Sequence, residues 1–110
     1  MFPRNEAELL EQIGPSLRIL SRKEFSEGLL GVSPSTDKRL EKEDPDHPKF
    51  LEMSPNRVGV IERHGRAYVL LRFMKLLALE GKQVDWTIRL LRRVIHGQDL
   101  IDEPEEADAA

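Results

Sequence analysis

The feature that most constrains the fold is a pair of short helical patterns joined by only three residues. Ser21 can cap the first helix, because its hydroxyl can accept a hydrogen bond from an unpaired amide at the helix start. Phe25, Leu29 and Leu30 then recur at helical spacing. Gly31 follows at the position where helices commonly end in the left-handed conformation.

A second helix is predicted directly after this end. Ser33 can cap it, and Pro34 occupies the first helical position, where a backbone N–H would have no hydrogen-bond partner within the helix. We therefore predict helices over Glu24–Leu30 and residues 34–42 that meet at residues 31–33, in a helix-turn-helix arrangement. Such a corner can present its second helix to the DNA major groove.

The next segment predicts a small β-hairpin. Two short apolar runs, residues 50–53 and 58–61, flank a Ser-Pro-Asn-Arg turn at residues 54–57. The alternative to a functional role for this turn is a simple type I turn, with Pro55 at its second position and Arg57 in solvent.

The order of these elements resembles the AlpA and excisionase group of prophage regulators, which are winged-helix relatives of the MerR-type DNA-binding domain. The resemblance covers roughly residues 20–72, and its best-matching pieces are Gly-Val-Ser with Ser35 and Thr36, Pro-Lys-Phe at 48–50, and Asn-Arg-Val-Gly at 56–59. It implies a mainly α fold: a winged helix-turn-helix with a small antiparallel β-hairpin and additional terminal helices. It also implies a sequence-specific DNA-binding protein of a phage or mobile element, acting as a transcriptional regulator or an excisionase.

Further helices are predicted at both ends of a single domain spanning residues 1–98. Asn5 can cap a helix over Glu6–Ile13, with Glu8 placed for a reciprocal bond. A long apolar helix is predicted over residues 62–80, and Gly65 is expected to delay its proper start to Arg66. Asp85 is expected to cap a last helix over residues 86–96, and residues 99–110 form an acidic tail predicted to be disordered.

Charge is segregated along the chain. The net charge is −3, yet residues 99–110 contain six acids and no base. Residues 54–93 contain nine bases against three acids. This division is typical of a DNA-facing body with an acidic tail, although any highly charged soluble chain can show such fluctuations.

Helix two supplies the first candidate DNA contacts. Lys and Arg side chains can pair with guanine edges, and Ser and Thr can bond bases or phosphates; the candidates are Ser35, Thr36, Lys38 and Arg39. The alternative is that Ser35 and Thr36 only help to cap the helix while the two bases are solvated. Asp37 is expected to contribute nothing to a core, and the acids Glu41, Glu43, Asp44 and Asp46 are expected to repel phosphate. The hairpin is therefore expected to contribute more than helix two.

The hairpin turn and the next helix supply the other candidates. Asn56 and Arg57 are predicted to contact the backbone or the minor groove, where negative potential attracts a guanidinium. Arg63 and Arg66 are predicted to hold phosphate near a helix N-terminus.

The last predicted helix has a basic face, formed by Arg89, Arg92, Arg93 and His96. This face either contacts phosphate or complements the negative end of its own helix. The opposite face is apolar and is predicted to be part of the core or a self-association surface; it is formed by Trp86, Leu90, Leu91, Val94 and Ile95.

The sequence predicts no enzyme, cofactor or metal site. There is no cysteine, and the three histidines lack the spacing of metal ligands, although His47 could join a chance site. The expected partner is double-stranded DNA. An integrase or RNA polymerase is a further expected partner, depending on the role, and several copies of the protein are expected to assemble on DNA. Membrane contact is not expected, because the longest apolar stretch is too short to span a bilayer, and a cytoplasmic location is expected. The alternatives are a DNA-recognition small subunit of a phage terminase and a protein-interaction module that uses the C-terminal helices.

Overall fold

A computed structural model describes residues 2–98 of the chain. The elements are, in order, α1 (Glu6–Ile13), β1 (Ile19–Leu20), a π-helix (Glu24–Leu30), α2 (Pro34–Glu43), β2 (Leu51–Ser54), β3 (Arg57–Ile61), α3 (Glu62–Leu79) and α4 (Asp85–Ile95). The described part is mainly helical, with a small antiparallel sheet in the order β1-β3-β2. The predicted acidic tail, residues 99–110, lies outside the described residues.

The first helix of the predicted pair has its expected bounds but wider turns. Ser21 Oγ accepts a hydrogen bond from the Glu24 amide at 3.1 Å, and the Glu24 carboxylate accepts one from the Ser21 amide at 2.8 Å. These two bonds form a capping box. Gly31 ends the helix with φ 73°, and its amide donates to the carbonyl of Ser26, five residues back. That spacing is the π-helical one.

The second helix begins as predicted and continues one residue further than expected. Ser33 Oγ accepts a hydrogen bond from the Thr36 amide at 3.2 Å, and Pro34 is the first helical residue. This capping hydrogen bond fixes the backbone at residues 33–36, and so it fixes the direction of α2 after the corner.

The hairpin is also where it was predicted, but its turn is of another type. Ser54 pairs with Arg57 across Pro55 and Asn56. Asn56 has φ 68°, whereas a type I turn requires a negative φ at that position; type II accepts Asn there. The predicted type I turn is therefore wrong.

A third strand was not predicted. β1 pairs with β3 through Ile19 opposite Ile61 and Leu20 opposite Val60. Two residues are too few to show the alternation that identifies a strand in sequence.

Helix α3 is the centre of the packing and contacts α1, the π-helix, β3 and α4. Its residues Tyr68, Leu71 and Met74 are buried together with core residues of its neighbours: Leu9, Ile13, Phe25, Leu90, Leu91, Val94 and Ile95. The prediction that Leu90, Leu91, Val94 and Ile95 form an apolar face of the last helix is thus confirmed. No helix in residues 2–98 is long and apolar enough to cross a membrane.

Gly65 lies inside α3 and does not delay it. A Cβ atom at Gly65 would stand 2.8 Å from Cε1 of Phe25, so the bare backbone lets the Phe25 ring pack directly on the helix. Tertiary packing therefore overrides the low helix propensity of glycine, and the predicted start at Arg66 is wrong.

The predicted cap of α4 is wrong, whereas the predicted cap of α1 is confirmed. α4 begins at Asp85 itself with Val84 in the cap position, so Asp85 is a first-turn residue and not the cap. At α1 the Asn5 side chain does accept from the Glu8 amide at 2.9 Å, as predicted. The Glu8 carboxylate, which was predicted to make a reciprocal bond to the cap residue, accepts from the amide of the preceding residue, Arg4, at 2.8 Å.

Candidate nucleic-acid interface

Asp37 lies on the inner side of α2 and is fully buried. Its Oδ2 accepts a hydrogen bond from Arg22 at 2.9 Å, and its Oδ1 lies 2.6 Å from Nε2 of His47. The expectation that Asp37 contributes nothing to the core is therefore wrong. Arg22, which leads into the π-helix, supplies the opposite charge that a buried carboxylate needs.

His47 is buried beside Asp37 and is a structural residue. Its Nδ1 lies 2.7 Å from the backbone carbonyl oxygen of Pro48, which can only accept, so this nitrogen carries a proton. The rings of Phe25, Phe50 and Tyr68 surround it, with centroids 5.7, 6.2 and 4.8 Å away. Within residues 2–98, no group of three or more His, Cys, Asp or Glu side chains is arranged to hold a metal ion.

Glu41, one turn after Asp37, also points inward. Its carboxylate accepts from Arg22 at 2.7 Å and from the Phe50 amide at 2.9 Å. Although burial raises the pKa of Glu41, the hydrogen bonds from Phe50 and Arg22 outweigh this effect and lower it below the ordinary value. Glu41 thus joins α2 to the chain that enters the hairpin.

The two aspartates that follow α2 are held by the C-terminal helices. Asp44 accepts from the Tyr68 hydroxyl at 2.7 Å; burial and this bond raise the pKa of Tyr68 above its usual range. Asp46 accepts from Lys75 at 2.7 Å and from Arg92 at 3.1 Å. Burial raises the pKa of Asp46, but these two cations lower it overall.

The acids that were expected to repel phosphate are therefore mostly turned into the protein. Asp37 and Asp46 are buried and Glu41 and Asp44 are half-buried, whereas Glu43 is exposed. Four of the five carboxylates are matched by internal donors, and this removes the reason for ranking helix two below the hairpin.

The outer side of α2 carries the opposite chemistry. A helix turns about 100° per residue, so Ser35, Lys38, Arg39 and Lys42 lie about 100–200° around the helix from Asp37, and Glu43 lies beside them at about 240°. All five are exposed. Thr36, the remaining candidate, is half-buried, and its hydroxyl lies 3.0 Å from Ser33 Oγ at the helix cap. We call Ser35, Lys38, Arg39 and Lys42 the basic face of α2.

Two lysines of this region were missed in the sequence. Lys42 and Lys49 are exposed and line a cleft beside α2 together with Arg22, Lys38 and Glu41. The i,i+4 spacing from Lys38 to Lys42 was a usable signal. Lys49 gave no such signal in the sequence, because only the folded loop after α2 brings it to this cleft.

Asn56 and Arg57 lie exposed at the hairpin turn, as the prediction requires. They line a groove between the hairpin and the start of the π-helix, with Ser21 and Glu24 on its other side. The turn and the basic face of α2 border two different clefts.

The start of α3 is less open than predicted. The amides of Glu62 and Arg63 donate to the carbonyls of Arg18 and Ser16, at 2.7 and 3.0 Å. These two amides are therefore already engaged within the protein. Arg63 is half-buried, and Arg66 donates to Glu62 at 3.1 Å while its side chain stays 48% exposed.

The predicted basic face of α4 is divided by the fold. Arg92 binds Asp46, so it holds the loop after α2 against α4. Arg89 and His96 are exposed, and Arg93 is half-buried.

Comparison of the chain with protein-family models, curated proteins and solved structures found no match.

Proposed function

We propose that this protein binds double-stranded DNA in a sequence-specific manner, as a winged helix-turn-helix in which α2 enters the major groove. The observation that carries the proposal is the sorting of charge on α2. Its carboxylates at Asp37 and Glu41 bind Arg22 inside the protein, while Lys38, Arg39 and Lys42 face solvent. Except for the exposed Glu43, the acids of α2 turn inward and its bases turn outward, so the helix offers hydrogen-bond donors to phosphate and base edges.

The arrangement of elements supports the same function. A tight corner at residues 31–33 precedes α2, and a hairpin with exposed Asn56 and Arg57 follows it. In this proposal the hairpin is the wing, and Arg57 contacts the backbone or the minor groove.

The basic face divides into two roles. Ser35, Lys38 and Arg39 lie in the first half of α2, the part of a recognition helix that reaches base edges. Lys42 and Lys49 lie beyond them and contact phosphate, which sets the position of the helix without reading sequence. Arg63 and Arg66 remain proposed phosphate contacts through their side chains.

The biological role follows from the resemblance to AlpA and excisionases. We propose a regulator of transcription or of recombination direction in a phage or mobile element, acting through DNA binding without catalysis. A module of this size buries little surface on DNA, so useful affinity requires several copies on one site.

The test is the salt dependence of DNA affinity in a matched pair of lysine variants. Wild-type protein is titrated with random duplex DNA and with sites recovered by sequencing of co-purified genomic fragments. Lys42→Ala should lower the slope of log affinity against log salt by about one, because one phosphate contact is lost. Lys82→Ala removes an exposed lysine from the α3–α4 loop and should leave the slope unchanged. Absence of binding at low salt, or equal effects of both variants, would contradict the proposal.

A further inference from the structure

The outward side of α3 carries an apolar strip that the rest of residues 2–98 leaves open. It consists of Val69, Leu70, Phe73, Leu76 and Leu77. Phe73 is 53% exposed and Leu76 is 60% exposed, while the other three are half-buried. A contiguous exposed apolar patch on a small protein marks an interaction surface.

We propose that this strip is the interface of a homodimer, in which the α3 helices of two copies pair antiparallel with Phe73 at the two-fold axis. The proposal does not depend on DNA binding; in the dimer Arg66 pairs with the partner subunit, and Arg63 is then the remaining proposed phosphate contact at the start of α3.

The spacing of the strip fits helix pairing. Arg66, Leu70, Phe73, Leu77 and Glu80 follow one another at intervals of four, three, four and three residues. This is the seam of a two-stranded helical interface. At 1.5 Å per residue the seam is about 21 Å long, and its ends are charged while its middle is apolar.

The order of charges identifies the occupant as a second copy. Arg66 lies seven residues before Phe73, and Glu80 lies seven residues after it. In an antiparallel pair each Arg66 therefore meets Glu80 of the partner subunit, at both ends of the seam. In a parallel pair the like charges would face each other. A two-fold interface requires this kind of self-complementary surface.

Arg66 already contacts Glu62 of its own chain, and its side chain remains accessible to Glu80 of the partner subunit. Its Nε lies 3.1 Å from Glu62, and its side chain is 48% exposed. Glu62 also accepts from Ser16 at 2.7 Å and lies 3.6 Å from Arg18, so its charge is shared among three groups.

A groove beside the strip gives the partner's side chains a place to pack. Phe2 and Gln12, from the α1 region, form one wall, and Leu70, Phe73 and Leu77 form the other. Its volume is about 510 Å³, and Phe2 is 41% exposed along its edge. An antiparallel partner crossing at Phe73 would bury this ring and cover the groove.

The first experiment is sedimentation equilibrium of the full chain without nucleic acid, over a wide range of concentrations. Wild-type protein should show a concentration-dependent monomer–dimer equilibrium. Phe73→Ser should weaken the dimer at least about tenfold, since it removes an aromatic residue from the centre of the interface. Leu79→Ser is the control: Leu79 is 85% exposed on the same helix but lies off the strip, and its loss should leave the equilibrium unchanged. Circular dichroism of both variants confirms that each is folded.

The second experiment tests the antiparallel order. Arg66→Glu and Glu80→Arg should each weaken self-association, because each places like charges at both ends of the seam. A mixture of the two single variants should associate, because every seam-end pair in the heterodimer is again of opposite charge. The double variant with both exchanges should dimerise like wild type.

Several results would overturn the proposal. These are a wild-type protein that is monomeric at every concentration, equal losses in Phe73→Ser and Leu79→Ser, or failure of the mixture to associate. None of them bears on DNA affinity, so failure here leaves the proposed function to its own test.

Discussion

At the scale of single residues, the buried cluster of Arg22, Asp37 and His47 decides how α2 is oriented. Asp37 has no exposed surface; its Oδ2 accepts from Arg22, and its Oδ1 lies 2.6 Å from Nε2 of His47. In the sequence it reads as an acid tolerated in the first turn of a helix. Its partners lie fifteen residues before and ten after it, so no local pattern connects the three.

Removing Asp37 should therefore damage stability far more than removing a surface acid. Asp37→Ala leaves the Arg22 guanidinium, which is 14% exposed, with Glu41 as its remaining counter-charge and removes the partner of His47 Nε2, so it should lower the free energy of unfolding by about 1–3 kcal/mol. Glu43→Gln, at an exposed acid of the same helix, should change it by less than about 0.5 kcal/mol. Urea denaturation of the two variants measures both values. Similar small effects would show that the cluster contributes little to folding.

At the scale of elements, prediction succeeded where the signal was local. The Ser21 and Ser33 caps and the left-handed Gly31 placed the helix pair, because capping depends on residues within one turn. Contacts distant in sequence were not predicted. The sequence predicts a weak helix start at Gly65. The Phe25 ring that packs on Gly65 lies forty residues earlier in the chain, so no local pattern reveals this contact.

The inward acids also change the comparison between the hairpin and α2. The hairpin was expected to contribute more because Asp37 was given no role in the core and Glu41 and the acids after it were expected to repel phosphate. Both carboxylates bind Arg22 inside the protein, so the basic face of α2 is open to the role that the hairpin was expected to fill.

Substitutions in the two elements should separate positioning from sequence reading. Arg57→Ala should weaken binding to specific and random DNA alike and lower the salt slope by about one. Arg39→Ala should weaken binding to the preferred site by about 1–3 kcal/mol and affect random DNA much less. Fluorescence anisotropy with both kinds of duplex measures these effects. Wild-type affinity in a folded Arg57→Ala protein would exclude the hairpin from the interface.

At the scale of the whole molecule, Asp46 joins the loop after α2 to both C-terminal helices. It binds Lys75 on α3 and Arg92 on α4, while Asp44 binds Tyr68 on α3. The basic residues of this network are present in the sequence, but Arg92 was predicted either to contact phosphate or to complement the C-terminal end of its own helix. Helical periodicity tells which residues share a face, and it does not tell which neighbouring loop covers that face.

This network should make the stability of the fold depend on acidity. The cations around Asp46 hold its pKa below the ordinary 3.8, and the bonds to Glu41 hold its pKa below 4.5. A carboxylate with a lowered pKa in the folded state stabilises the protein above its ordinary pKa, and this contribution is lost as pH falls through the folded value. The contribution of these two carboxylates to the free energy of unfolding should thus be constant near neutrality and decrease on acidification from pH 4.5 downward.

Asp46→Asn isolates one part of that dependence. The amide cannot carry the charge that Lys75 and Arg92 neutralise, so the variant should be less stable than wild type at neutral pH. Because it has one fewer group with a lowered pKa, its stability should also fall less steeply in acid. Urea denaturation at a series of pH values compares the two curves. Parallel curves would mean that Asp46 gains nothing from its two cations, and that the loop after α2 is held against α3 and α4 by Asp44 and the aromatic rings around His47.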